Sequence, residues 1–283
     1  MSEPNLQPGI TLAATPIGNS HDASDRLKAA IEQADIIGAE DTRRALSLIN
    51  RLGLETHAKI TSVYEHNESR RAGELIEAAK RGQRVLVFSD AGMPTVSDPG
   101  YNLVTASTDA GIPLTVIPGP SAVLTALALS GLPTDRFTFE GFLPRKPSQL
   151  AKALAKIEGE ARTMIFFESP KRIHQTLEAM AIAFGPERPA ALCRELTKTY
   201  EEVIRKPLGE LVKATEGEVR GEICLVVQGS EDTQYDLVAL VEQVNELRGD
   251  GLKTKAAVKH VAEATGASKK ELYQAYLDRY AAN

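Results

Sequence analysis

Between residues 10 and 131 the sequence alternates short apolar runs with amphipathic helical patterns, and this alternation constrains the fold more than any other feature. It is typical of parallel strands joined by crossover helices. The pattern predicts strands at residues 10–14, 35–39, 84–88 and 113–117. It predicts helices at residues 24–33, 42–52 and 68–81. We therefore predict an α/β lobe built on a parallel sheet.

After residue 131 the pattern changes to strands with more hairpin character, interleaved with helices. Strands are predicted at residues 137–142, 163–167, 190–194, 200–204 and 223–228, and helices at 171–183 and 208–215. The last part of the chain is helical, at residues 237–247, 254–265 and 268–281. We therefore predict an N-terminal α/β lobe at 10–118, a second α/β lobe at 119–230 and a helical tail at 235–283.

Two helices of the tail are joined by a turn that contains Gly266, the pattern of a helix-turn-helix. Five lysines lie in or beside these helices: Lys253, Lys255, Lys259, Lys269 and Lys270. They indicate contact with a nucleic acid, and a solvated cap or a dimerisation element is an equally good interpretation.

Composition narrows the class of protein. No apolar run approaches the roughly 20 residues that a helix needs to cross a bilayer, so we expect no membrane-spanning role. The polar start, residues 1–9, lacks the features of a secretory signal and is interpreted as a frayed tail of a cytoplasmic protein. Cys193 and Cys224 lie in strand-like contexts without the spacing of metal ligands, so we expect buried thiols and no metal site.

The net charge of −5 argues against binding of nucleic acid by bulk electrostatics. Pairs of basic residues beside predicted loops or helix starts weaken that objection, because each pair can meet a phosphate backbone. The pairs are Arg43–Arg44, Arg70–Arg71, Arg145–Lys146 and Lys171–Arg172. Solvated surface charge is the alternative for each of them.

Three turns rich in glycine and proline follow predicted strands, at residues 14–19, 89–94 and 117–122. Open α/β sheets bind ligands at the carboxyl ends of their strands, so the three turns predict one site. None of them is a dinucleotide or P-loop fingerprint. In the second turn Asp90 can accept hydrogen bonds from a ligand, and Gly92 allows a close approach to the backbone. Residues 97–100 are interpreted as a helix start, with Asp98 as the cap and Pro99 at the first helical position.

Together with other short motifs, these turns resemble the tetrapyrrole methylase superfamily of S-adenosylmethionine-dependent enzymes, and within it the branch that methylates ribosomal RNA. The motifs stand in the same order, at residues 14–19, 39–43, 89–94, 117–122, 141–146, 167–172, 194–198 and 221–223. The first turn reads Ala-Thr-Pro-Ile-Gly-Asn where the superfamily commonly has Gly-x-Gly-Pro-Gly-Asp. This departure is typical of the ribosomal RNA branch and argues against a tetrapyrrole substrate.

The resemblance implies a two-lobed α/β enzyme, usually a homodimer, that binds S-adenosylmethionine between its lobes. It also implies methylation of the ribose 2′-oxygen of cytidine 1402 in 16S ribosomal RNA, within the small ribosomal subunit. The implied cofactor contacts are Ile17, Asp90, Met93, Ser121, Ala122, Phe167 or Glu168, Leu196, and Glu222 or Ile223. A methylase of a tetrapyrrole or other small molecule and a non-catalytic ribosome-assembly factor are the rival functions.

Methyl transfer to a ribose hydroxyl benefits from a general base within hydrogen-bond reach. Glu40 and Asp41, with Arg43, follow the second strand and are candidates to hold the ribose and a phosphate, although Asp41 equally suits the cap of the next helix. His66 is the other candidate base, and its alternative is an ordinary surface residue. The candidate RNA contacts are Arg44, Arg145, Lys146, Lys171 and Arg172.

Overall fold

The computed structural model describes residues 5–64, 67–97, 100–230, 237–265 and 267–280. These residues form two compact units, one that ends at Gly229 and one that begins at Ser230. None of the described helices is both long and apolar enough to cross a membrane.

The first sheet contains five strands, all parallel, in the order β3-β2-β4-β1-β5. Its strands are β1 (Gly9–Ala13), β2 (Ile36–Ala39), β3 (Lys59–Ser62), β4 (Arg84–Phe88) and β5 (Leu114–Ile117). The predicted β1, β2, β4 and β5 are confirmed within a residue or two. The runs of β1, β2 and β4 are largely buried, whereas β5 is buried only at Ile117. The sequence prediction missed β3, a short edge strand that is half polar and only partly buried.

Five helices lie between or after these strands in the chain. They are α1 (Asp25–Gln33), α2 (Thr42–Arg51), α3 (Glu68–Lys80), α4 (Tyr101–Asp109) and α5 (Ala122–Ser130), with a short 3-10 helix at Ser20–Asp22. The hydroxyl of Ser24 accepts the amide hydrogen of Leu27 and caps α1, as predicted. The helix after residue 97 begins at Tyr101, with Gly100 as its N-cap. The predicted cap Asp98 and its neighbour Pro99 lie outside the described residues.

The second sheet is mixed, in the order β6-β7-β10-β8-β9. Its strands are β6 (Phe137–Phe142), β7 (Thr163–Glu168), β8 (Pro189–Arg194), β9 (Glu202–Pro207) and β10 (Ile223–Val227), and its helices are α6 (Pro147–Lys156), α7 (Ile173–Phe184) and α8 (Leu208–Ala214). Only β6 and β7 pair in parallel. The sequence prediction began β9 too early: the carboxylate of Glu201 accepts the amide hydrogen of Thr197 at 2.6 Å, which folds residues 197–201 into a turn.

The two faces of the second sheet belong to two apolar clusters. One face packs with α6, α7 and α8 around Phe166 and Leu225. The other face packs against α5 and reaches Ile17 of the first turn, so the first lobe and the second sheet share a core. This shared core fixes the first turn relative to the second sheet.

The C-terminal unit consists of α9 (Leu237–Gly249), α10 (Thr254–Thr265) and α11 (Lys269–Tyr280). Their apolar faces enclose a small core that includes Val244, Val261 and Leu272. A guanidinium nitrogen of Arg248 donates to the hydroxyl of Tyr276 at 2.6 Å and joins the first helix to the third. The predicted helices are confirmed, apart from residue 281, which lies outside the described residues.

Candidate cofactor cleft

The three strand-end turns meet in space. The backbone amides of Thr15 and Gly92 exchange two hydrogen bonds, of 2.9 and 3.0 Å, which join the first turn to the second. A Cβ atom added to Gly119 would lie 2.9 Å from the Cβ of Ala14, so the third turn also packs against the first. The convergence expected from the carboxyl ends of β1, β4 and β5 is therefore present.

The first turn also contacts a loop of the second lobe. A Cβ atom added to Gly18 would lie 2.5 Å from the Cγ of Lys198 and 3.1 Å from the carbonyl oxygen of Leu196. The backbone amide of Asn19 donates to the Thr197 hydroxyl at 3.0 Å. Only a glycine at position 18 permits this approach.

Among the described residues, four other than glycine have a left-handed backbone, and they flank the same region. Thr95 and Ser97 have φ values of 74° and 61°, and Glu195 and Thr197 have values of 51° and 66°. Non-glycine residues with this conformation are uncommon and cluster at functional sites. One pair lies on each lobe.

A cavity of about 470 Å³ lies between these loops. It is lined by Ile17, Glu40, Arg44, Asp90, Ala91, Gly92, Met93, Val96, Ser97, Ser121, Ala122, Val123, Phe142, Phe167, Glu168, Ser169, Pro170, Cys193, Leu196, Gly221, Glu222, Ile223 and Cys224. All ten residues that the resemblance implied as cofactor contacts lie in this lining. The sequence alone does not distinguish Glu40 from the neighbouring Asp41 as the cavity carboxylate. It gives no indication that Phe142 and the two cysteines line a cavity.

Asp90 organises the polar end of the cavity. One carboxylate oxygen accepts the backbone amide of Asp41 at 3.1 Å, and the other lies 3.1 Å from a guanidinium nitrogen of Arg44. The backbone amide of Asp90 donates to the Glu40 carboxylate. Burial, and next the negative charge of Asp90, raise the pKa of Glu40. A carboxylate of raised pKa thus faces the cavity beside an anchored arginine.

On the second lobe, the carboxylates of Glu168 and Glu222 differ in burial and in their partners. The buried carboxylate of Glu168 accepts hydrogen bonds of 2.7 Å from the Ser169 amide and the Thr176 hydroxyl, so it is occupied at the start of α7. The carboxylate of Glu222 is exposed and lies 3.0 Å from the ammonium group of Lys198. Lys198 also pairs with Glu195 at 2.9 Å.

Ser121 is the N-cap of α5, yet its hydroxyl does not cap the helix. The amide hydrogens in the first turn of a helix lack intrahelical acceptors. Ser121 and Ala122 therefore bring a hydroxyl and helix-terminal amides to the cavity wall, a suitable partner for a ligand carboxylate.

Of the predicted catalytic residues, Asp41 and Arg43 do not lie in the cavity lining. Asp41 accepts the Arg43 amide hydrogen at 2.8 Å and pairs with the Arg43 guanidinium at 3.2 Å, so it caps α2. These bonds to Arg43 lower the pKa of Asp41. The cap interpretation of Asp41 is thus correct, and the preceding carboxylate, Glu40, faces the cavity instead. His66 lies outside the described residues.

The predicted RNA contacts divide into three groups. Arg44 lines the cavity. Arg145, Lys146 and Lys171 are exposed and lie outside the lining. The guanidinium of Arg172 donates to the carbonyl oxygens of Leu143 and Pro144 at 3.1 and 3.0 Å and pairs with Glu168 at 3.4 Å. These groups occupy part of its guanidinium, and the phosphate contact of Arg172 stays a prediction.

The two cysteines lie directly opposite each other on β8 and β10, and both are buried free thiols, as predicted. Burial raises the pKa of Cys193 to about 11. In the part of the chain that the structure describes, no group of three or more His, Cys, Asp or Glu residues is arranged to hold a metal ion.

Comparison with known families and proteins identifies relatives of both units. Residues 9–212 match the family of Tetrapyrrole (Corrin/Porphyrin) Methylases, and residues 239–279 match the RsmI C-terminal HTH domain. The chain is 46% identical over 269 residues to the ribosomal RNA small subunit methyltransferase I of Mycobacterium tuberculosis, covering 95% of this chain and 94% of the relative. It is 39% identical over 281 residues to the Escherichia coli protein of the same name, covering 98% of each.

Solved structures share the fold at lower identity. The methyltransferase CobJ superposes with a TM-score of 0.59 at 22% identity, over 78% of this chain and 94% of that chain. A uroporphyrin-III C-methyl transferase from Thermus thermophilus, complexed with S-adenyl homocysteine, has a TM-score of 0.55 at 18% identity, over 78% and 97%. These similarities confirm the predicted two-lobed α/β fold class.

Proposed function

Because the chain belongs to the tetrapyrrole methylase family, and within it to the S-adenosylmethionine-dependent enzymes named ribosomal RNA small subunit methyltransferase I, we propose that it methylates ribosomal RNA of the small subunit. The proposed acceptor is the ribose 2′-oxygen of cytidine 1402 in 16S ribosomal RNA. The observation that carries this proposal is the identity of 39–46% over at least 93% of the chain to relatives of that name.

The cavity residues fit S-adenosylmethionine. Ligand sites of this kind combine an apolar wall with a few placed polar groups. Apolar contact for the adenine and the methionine chain would come from Ile17, Met93, Phe167, Leu196 and Ile223. Hydrogen-bond partners would be the Ser121 hydroxyl and amides at the start of α5, with the carboxylates of Asp90 and Glu222. When bound, the cofactor supplies an electrophilic methyl group.

The residues of this chain supply orientation and a proton acceptor. We propose Glu40 as the general base that takes the proton of the ribose 2′-hydroxyl, because its carboxylate lines the cavity and its pKa is raised. Asp90 positions Glu40 through its backbone amide and Arg44 through its carboxylate. His66 stays the second proposed base. We propose that Asp41 and Arg43 contribute indirectly: their bonds to each other hold the backbone at the start of α2 in place.

Contacts with the RNA backbone are proposed for Arg44 at the cavity and for Arg145, Lys146 and Lys171 on the surface. The chain is acidic overall, with a net charge of −5, so such contacts depend on a few exposed cations. Their removal should weaken binding to RNA regardless of sequence and flatten its salt dependence. We also propose a cytoplasmic homodimer that acts on the small ribosomal subunit; the mass of the protein in solution tests the dimer.

Transfer of labelled methyl groups tests the function. Small subunits from cells that lack the enzyme are incubated with the protein and labelled S-adenosylmethionine, and the modified nucleotide is mapped by mass spectrometry. The proposal expects label on one ribose. The variant Glu40→Gln should abolish this labelling. The control Ile182→Ala, at a residue of α7 that is 86% exposed, should label the ribose as wild type does. Label on a tetrapyrrole instead would refute the RNA substrate, and absence of cofactor binding by calorimetry would favour a non-catalytic assembly factor.

A further inference from the structure

An irregularity in β6 turns one aromatic side chain toward the cavity. Before the irregularity Phe139 lies opposite Ile165 of β7, and after it Phe142 lies opposite Phe167. The shift occurs between Phe139 and Gly141, and Gly141 has a φ of 65°. Such a β-bulge inserts one residue into a strand and re-aims the side chains that follow.

The bulge decides which face of the sheet receives Phe142. In the register of the first half of β6, residue 142 would lie opposite Glu168, whose carboxylate faces α7. Neighbours in register share a face of the sheet. With the bulge, Phe142 shares the face of Phe167 and lines the cavity. The extra residue therefore places this ring on the face of Phe139 and Phe167 instead of the face that packs against α7.

Phe142 is the outermost of three rings in contact. The rings of Phe139 and Phe167 are 4.8 Å apart, and those of Phe167 and Phe142 are 5.6 Å apart. Phe167 is half-buried, whereas Phe142 is 60% exposed. The inner rings support the outer one, and the outer one presents an apolar surface at the edge of the cavity.

Two cations follow this ring closely in the chain, and a third lines the same cavity. Arg145 and Lys146 follow Phe142 by three and four residues and are exposed. Arg44 lies in the lining of the same cavity. A supported aromatic ring with cations beside it is the arrangement by which proteins hold unstacked nucleotides: the base stacks on the ring and the phosphates meet the cations.

We propose that Phe142 is a stacking platform for the base of the nucleotide whose ribose is methylated. The inference rests on the proposed RNA substrate and adds how the acceptor is held: the nucleotide leaves the RNA stack and its base lies on Phe142. Phe142 acts as a positioning residue, since it carries no group that reacts. The more buried Phe167 is the ring proposed to contact the cofactor.

Steady-state methylation of small subunits by four variants tests the proposal. Removal of base stacking by alanine substitution corresponds to about a 5- to 150-fold loss, so Phe142→Ala should raise KM for the subunit, or lower kcat/KM, within that range. Phe142→Trp keeps a flat ring and should retain most activity, whereas Phe142→Leu keeps apolar volume and should resemble the alanine variant. Phe137→Ala removes the same side chain at the other end of β6, outside the cavity, and should behave as wild type.

Cofactor binding separates the outcomes. The affinity for S-adenosylmethionine, measured by calorimetry, should be the same in Phe142→Ala and wild type. A loss of cofactor affinity with an unchanged KM for the subunit would assign the ring to the cofactor and overturn the proposal, as would leucine rescuing as well as tryptophan. If wild type methylates the subunit and Phe142→Ala matches it, only this inference fails. If wild type does not methylate the subunit, the RNA substrate and this inference fall together.

Discussion

Replacement of Gly18 by alanine tests whether the first turn and the second-lobe loop are packed as closely as the structure shows. The added Cβ would lie 2.5 Å from the Cγ of Lys198, 2.7 Å from the hydroxyl oxygen of Thr197 and 3.1 Å from the carbonyl oxygen of Leu196. Lys198 cannot simply swing away, because its ammonium group is held by two carboxylates. The loop itself must move.

The magnitude follows from two opposing effects. Insertion of a methyl group into a well-packed site costs about 1–3 kcal/mol. A change from glycine to alanine recovers about 0.4–1 kcal/mol, because the unfolded chain loses freedom. We expect Gly18→Ala to lower the free energy of unfolding by about 1–2 kcal/mol, and the melting temperature by about 2–8 °C. Because Leu196 lines the cavity, the cofactor should bind more weakly, by about tenfold for each 1.4 kcal/mol that the loop displacement costs.

Urea unfolding and calorimetry with S-adenosylmethionine measure both effects. Gly73→Ala is the matched control, since a Cβ at this helical position meets no atom within 4 Å, and it should stabilise the protein. The double change Gly18→Ala with Lys198→Ala should recover part of the loss, because it removes the nearest atom. If Gly18→Ala is as stable as Gly73→Ala and binds the cofactor as wild type does, the close contact is refuted.

Three further predictions concern titrating groups. Hydrogen bonds from Arg84 lower the pKa of Asp35 from 3.8 to about 2. Because this pair is one-third exposed, Asp35→Asn should lower the free energy of unfolding by about 1 kcal/mol above pH 4, and this cost should fade as pH falls through the folded pKa. An equal cost above pH 4 and below the folded pKa in urea unfolding would contradict this. Burial raises the pKa of Glu40, so ionised Glu40 destabilises the fold once pH rises above the pKa of this group in the unfolded chain. Glu40→Gln should therefore melt at a higher temperature than wild type at pH 7.5 but not below pH 4.5. A lower melting temperature of the variant at pH 7.5 would count against this prediction. The pKa of Cys193 is raised to about 11 and that of Cys224 is raised further, so about a thousandth of Cys193 is thiolate at pH 8. Mass spectrometry should therefore show slow alkylation of both thiols, and slower alkylation when the cofactor is bound. Complete labelling within minutes would overturn this prediction.

The sequence predicts the parts of this fold that depend on buried apolar runs. The runs at 10–14 and 84–88 become β1 and β4, and the turns that follow them meet because parallel strands end at one edge of the sheet. By contrast, β3 is defined by its pairing with β2 rather than by its own residues, so periodicity alone did not find it. Its existence depends on a long-range contact.

The candidate site shows the same division. The proposed cofactor residues come from the family resemblance in motif order, and the structure places them in one cavity lining. The choice between Glu40 and Asp41 depends on which side of the chain faces the cavity at the end of β2, and one residue reverses the direction of a side chain. The exposure of Phe142 depends on a bulge whose register is defined by the partner strand. Neither property is encoded within a short window of sequence.

The left-handed residues on both sides of the cleft have a consequence for how the protein responds to its ligand. Residues other than glycine lose about 1–2 kcal/mol in this conformation, so Thr95, Ser97, Glu195 and Thr197 make the cleft loops less stable than β1 and β10, which are buried throughout. A bound cofactor stabilises the loop conformation to which it binds, by mass action. Hydrogen exchange should therefore slow most on cofactor addition near residues 95–97 and 195–197, and least in β1 and β10. The cofactor is thus expected to stabilise the cleft loops, whereas these two strands are stable without it.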